Sequence, residues 1–111
     1  MEIYFRTNKL QKICNNKKIM EKKLGSQMSF KLQQRLFELS AADNLNDISH
    51  LSPTRLHELT GNRKGQFSVD LIHPFRLLFI IANDPVPYLE TGGIDREKVN
   101  QIEIIEISDT H

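Results

Sequence analysis

The segment from Gln66 to Ile81 constrains this chain most. Phe67, Val69 and Leu71 alternate with polar Gln66, Ser68 and Asp70, the period of a strand with one buried face. His73-Pro74 marks a tight turn, and Phe75–Ile81 is then apolar at every position except Arg76. A half-buried strand beside a strand covered on both faces requires a sheet with a layer packed on it. A chain of 111 residues, 39% hydrophobic and 26% charged, has the means for one such core. One domain over residues 1–111 is therefore expected.

The preceding sequence supplies the layer. Glu2–Phe5 reads as a short strand, and Thr7 or Asn8 can cap the helix that follows. Leu10, Ile13, Cys14, Met20 and Leu24 keep to one helical stripe, and Gly25 reads as a stop with Ser26 as the next N-cap. Met28, Leu32, Leu36 and Leu39 form a second stripe, so Gly25-Ser26 reads as the corner of a two-helix hairpin. Ala42–Pro53 reads as a loop with one short helical turn. Arg55–Thr60 is a candidate strand, Gly61–Gly65 a turn, and Gln101–Ile107 a last strand. Asn83–Asn100, with two prolines and Gly92-Gly93, reads as an extended or mobile excursion. The expectation is an α+β domain: an N-terminal strand and a two-helix hairpin packed on a mainly antiparallel sheet of four to five strands.

The charge is uneven. The formal net charge is +1, yet residues 1–36 carry nine basic and two acidic residues, and residues 37–111 carry six basic and twelve acidic. Lys12, Lys18, Lys22 and Lys23 lie mostly off the apolar stripe of the first helix, where a basic outer face could meet RNA. For any one lysine, solvation of a helix is the simpler account. The run Leu77–Ala82 is too short to span a bilayer, and residues 1–6 lack the pattern of a signal peptide. Cys14 is the only cysteine, which excludes an internal disulfide and a Cys-rich zinc site. The histidines at 50, 57, 73 and 111 have no metal-ligand spacing. A cytoplasmic protein without a metal or cofactor is expected.

A few polar residues stand where apolar ones belong. Arg76 is either an edge arginine reaching for water or a planar cation projected onto an anion. His57 is either a satisfied, partly buried histidine or a proton-transfer group. Arg63-Lys64, in a glycine-bracketed turn, is either a solvated tip or a contact to a nucleic-acid backbone. Asp109 and His111 follow the last strand without slack, and alternation with Ile105 and Ile107 places them on one face if the strand persists.

Arg55-Leu56-His57-Glu58-Leu59-Thr60-Gly61-Asn62-Arg63-Lys64-Gly65-Gln66-Phe67-Ser68-Val69 resembles a segment of HigB-like killer toxins of the RelE/ParE superfamily. Pro74-Phe75-Arg76-Leu77 is similar to their arginine strand, and Ile105–His111 to their closing Asp-Tyr-His. The resemblance covers nearly the whole chain and implies a RelE-like fold. It implies the toxin of a type II toxin–antitoxin system, a ribosome-dependent endoribonuclease that cuts mRNA. The implied partners are the ribosome, mRNA and a HigA-like helix-turn-helix antitoxin, with operator DNA reached only through the antitoxin. Carried over by position, His57, Arg76, Asp109 and His111 are the catalytic candidates. Arg63 and Lys64 would assist at the phosphate. Thr110 stands in place of the family's usual tyrosine, and Thr60 in place of a lysine found in some members. Two other functions fit the resemblance: a ParE-like poison of DNA gyrase, or a catalytically weakened homologue that only binds the antitoxin.

Overall fold

The computed structural model describes residues 1–109; Thr110 and His111 lie outside the described residues. The chain runs β1 (Glu2–Phe5), α1 (Asn8–Asn15), α2 (Lys17–Leu24), α3 (Ser26–Ala41), β2 (His57–Glu58), β3 (Gln66–Asp70), β4 (Phe75–Ile81) and β5 (Gln101–Asp109). The five strands form one sheet in the order β1-β5-β4-β3-β2. β2, β3, β4 and β5 pair antiparallel, while β1 lies parallel to β5, so the sheet is mixed. Parallel pairing follows from the connection: a strand that must pass through three helices and the whole hairpin array before meeting its partner is not confined to a hairpin's direction.

The α+β class agrees with expectation, and four local features differ from it. The first helix of the expected hairpin is two helices. Asn16 takes an extended conformation, ends α1, and accepts from the backbone N–H of Ile19 through its own side chain, capping α2. The N-cap of α3 is Gly25, not Ser26; its φ of +82° is one that glycine adopts without penalty. The strand expected over Arg55–Thr60 shrinks to His57–Glu58, because Arg55 sits at φ +49° and breaks the extended run. The last strand, by contrast, continues two residues beyond Ile107.

The main core lies between the helices and one face of the sheet. Leu32 and Leu39 of α3 and Met20 of α2 pack there with Phe67, Val69, Leu77, Phe79, Ile102 and Ile104 from the strands. Phe67 and Phe79 stack with centroids 5.7 Å apart. A smaller cluster, Leu59, Leu78 and Ile105 with Ile80 against it, lies on the opposite face. The expected excursion after β4 is tied at its base: the Asn83 side chain accepts from the N–H groups of Asn100 and Gln101 and donates to the Asn100 side chain. Arg96 within it reaches the Phe67 ring and Glu58, holding the excursion against the β2–β3 edge.

Arg35 is the exception in the core. It occupies the buried stripe of α3 between Leu32 and Leu39 and is only 2% exposed. Its guanidinium donates to the Asp70 carbonyl at 2.7 Å, to the Pro53 carbonyl at 3.1 Å and to the Glu38 carboxylate at 3.2 Å. Glu38 also accepts from the Thr54 hydroxyl, closing the network. Replacing Arg35 by methionine strands two carbonyls and is expected to cost about 3–5 kcal/mol in urea unfolding. Unfolding at the wild-type midpoint would refute this account of the network.

Burial pushes the Cys14 thiol up from 9.0 to about 11. The folded state favours the neutral thiol, so this contribution to stability is full below pH 9 and is lost as the pH rises through about 11. Urea midpoints of the wild type should therefore fall relative to Cys14→Ala across that interval. Parallel curves for the two proteins would contradict it.

Candidate functional site

The sheet face turned away from the helices carries the polar residues of interest. Directly paired residues share a face, so the register fixes the grid. His57 lies opposite Ser68, Ser68 opposite Leu78, and Leu78 opposite Glu106. One row over, Asp70 lies opposite Arg76 and Arg76 opposite Ser108. Arg76 is thus on a central strand and is no edge residue. Its side chain is 15% exposed, and its Nε stands 3.6 Å from Asp70 Oδ1. Arg55 approaches the other oxygen of the same carboxylate at 3.3 Å. Two guanidiniums on one carboxylate leave a surplus of one positive charge locally, around Asp70, which suits an anionic ligand at that point of the face.

His57 is exposed on the short outer strand β2, not partly buried. Two inter-strand steps and two residues along the sheet separate it from Arg76, roughly 12 Å between Cα atoms. That spacing puts the two groups on one face, two strands apart. Arg63 reaches across the sheet from the turn before β3. It donates to Gln66 at 3.0 Å and to Glu106 of β5 at 3.4 Å, beside the Leu59–Leu78–Ile105 cluster. Lys64 is exposed in the same turn. At the far edge, the Tyr4 hydroxyl donates to Glu2 at 2.6 Å, and this bond raises the phenol above its ordinary pKa, helped by the Glu2 charge.

The structure does not bring all the sequence candidates together. The β4–β5 register slips between Leu78 and Phe79, leaving an extra residue in β5. The bulge turns Ile105 and Ile107 to opposite faces: Ile105 packs in the small cluster, and Ile107 against the helix-side core. Asp109 pairs with Phe75 and follows the Ile107 side, away from Arg76 and His57. This corrects the expectation that Ile105, Ile107 and Asp109 share a face. His111 falls outside the described residues. Lys12, Lys18, Lys22 and Lys23 are exposed on α1 and α2, in the layer on the other side of the sheet. Among the described residues, no three His, Cys, Asp or Glu side chains converge as a metal site would require. No helix among them is long and apolar enough to cross a membrane.

Sequence reading missed Asp70, Arg55 and Ser68. Asp70 and Ser68 occupy the polar phase of the alternation in β3, and that phase was the available signal. Arg55 meets Asp70 from the left-handed backbone position just before β2, which also delays the start of that strand. No protein-family model matches the chain, and no curated protein matches it.

The Ser68 hydroxyl is fully buried and makes no hydrogen bond among the described residues. An orphaned buried hydroxyl costs stability. Ser68→Ala is expected to leave the isolated protein as stable as the wild type or up to about 1 kcal/mol more so. A clear loss in thermal unfolding would show that the hydroxyl is satisfied in solution.

Proposed function

We propose that the chain is the toxin of a type II toxin–antitoxin pair and acts as a ribosome-dependent mRNA endoribonuclease of the HigB-like, RelE-like kind. The observation that carries the reading is the pair Arg76 and His57 on one open sheet face, with Arg76 held by Asp70. The motif order around His57, Arg76 and the closing Asp-x-His adds to it, as does an α+β architecture of the class the resemblance implies.

RNA carries its own nucleophile. A base takes the proton of the 2′-hydroxyl, the oxygen attacks the adjacent phosphorus, and an acid returns a proton to the departing 5′-oxygen. His57 or His111 serves as base or acid. Arg76 faces the non-bridging oxygens, where charge accumulates as the bond forms. Asp70, shared with Arg55, stands within ion-pair distance of the Arg76 guanidinium and holds it near the face, and Arg63 and Lys64 contact the RNA backbone beside it. DNA lacks the attacking hydroxyl and is spared. Asp109, on the helix side at the strand end, has no direct part on the Arg76 face. The lysines of α1 and α2 would meet ribosomal RNA from the opposite side, and the helix-turn-helix antitoxin would neutralise the assembly.

The test is a translation-coupled mRNA cleavage assay. Arg76→Ala is expected to slow cleavage by about 10²–10³-fold, the scale for removing a preorganised charge at a developing anion. His57→Ala is expected to slow it by about 10²–10⁴-fold. Asp109→Ala should lose less than Arg76→Ala. Wild-type rates for Arg76→Ala, His57→Ala and His111→Ala together would overturn the mechanism. Relaxed DNA accumulating in a supercoiling assay would assign the chain to gyrase instead.

A further inference from the structure

We propose that two copies of the chain pair through the outer face of α3, antiparallel and related by a two-fold axis. The inference is independent of the catalytic reading. It rests on residues that the core leaves outside. Gln27, Phe30, Gln34, Phe37 and Ala41 follow a 3-4-3-4 spacing along α3, the seam of a helix that packs against another helix. α3 already buries a different stripe, Ser29, Leu32, Arg35 and Leu39, against the sheet. The second seam faces away from it. Phe30 is 62% exposed and Phe37 73%, the second the most exposed large hydrophobic residue among those described. The two most exposed of the six phenylalanines of the chain thus lie on one helix, one seven residues after the other. The seam itself carries no charge.

The charges beside the seam select the occupant. Lys31 and Glu38 flank it on the same side, again seven residues apart. In an antiparallel two-fold pair, Phe30 packs over the small Ala41 of the second copy and Gln34 over its Phe37. In that register Lys31 of each copy lies beside Glu38 of the other, twice over. The helix is therefore complementary to itself in shape and in charge, the condition for an isologous interface. A parallel pair would lose the match, because Lys31 and Glu38 lie two turns apart. Four phenylalanines and their flanks bury roughly 1,000 Å² in total, near the lower bound for a specific interface. The expected dimer is correspondingly weak, with micromolar affinity.

The experiment is sedimentation equilibrium of the purified chain from low micromolar to near-millimolar concentration. The mass is expected to rise from 12.9 kDa toward twice that value. Phe37→Glu should remain at the monomer mass throughout, with an unchanged circular-dichroism spectrum because the residue is exposed. Lys31→Glu and Glu38→Lys should each fail to self-associate, yet pair when mixed, since each then offers the charge the other needs. Glu38 also holds Arg35 and Thr54, so Phe37→Glu and Lys31→Glu decide the matter if Glu38→Lys does not fold. A wild type that stays monomeric at the highest concentration overturns the proposal. So does a Phe37→Glu variant that dimerises as the wild type does. A monomeric chain whose Phe37→Glu variant loses its hold on a co-expressed helix-turn-helix protein would assign the face to that partner instead.

Discussion

The Arg35 guanidinium is buried in the helical layer and bonded to the carbonyl of Asp70 at the end of β3. Removing a guanidinium from water is expensive, and it persists here because the carbonyls of Asp70 and Pro53 and the Glu38 carboxylate all accept from it. The consequence reaches through the sheet. The backbone of Asp70 is held from the helix side, while its carboxylate projects on the other side between Arg55 and Arg76. One residue therefore joins the core network to the open face. The pose of Arg76 depends on a strand end that a buried cation keeps from fraying.

Legibility followed the range of the interactions. The β3–β4 hairpin was plain in the sequence because alternation and a Pro-containing turn are local. The stripe of α3 was only half legible. Leu36 fits the helical period, but the fully buried position beside it is Arg35, and an arginine in a stripe is ordinarily read as surface. Its acceptors are carbonyls 18 and 35 residues away, which no local pattern reveals. The break at Asn16 was missed for the opposite reason. The apolar stripe runs across α1 and α2 without interruption, and an asparagine is as acceptable on a helix surface as at a cap. The bulge in β5 did leave a local mark, the adjacent Ile104-Ile105 that shifts the alternation by one residue, but two neighbouring isoleucines do not by themselves distinguish a bulge from a doubly covered strand until the partner fixes the register.

That bulge decides what the candidate residues have in common. Without it, Ile105, Ile107 and Asp109 would share a face; with it, the strand changes phase at Ile105 and Glu106. Glu106 joins the open face and binds Arg63, while Asp109 passes to the helix side. The sequence made His57 and Arg76 candidates as isolated polar residues. The register adds that they share a face, that Asp70 lies beside Arg76, and that Arg63 reaches the same face from a turn that sequence alone places at a loop tip.

The charge asymmetry of the chain also takes a spatial form. Six of the seven lysines of the first 36 residues sit on α1 and α2 and the seventh, Lys31, on α3, whereas the open face mixes Arg55, Arg63 and Arg76 with Asp70, Glu103 and Glu106. Nonspecific attraction to a polyanion would thus act on the helical side, and directed contact to a phosphate on the sheet side. A pair of chains joined along α3 would set the helical layers back to back, because the Phe30–Phe37 seam faces away from the sheet. Both open faces then point outward, so pairing along α3 and access to Arg76 do not compete for the same surface.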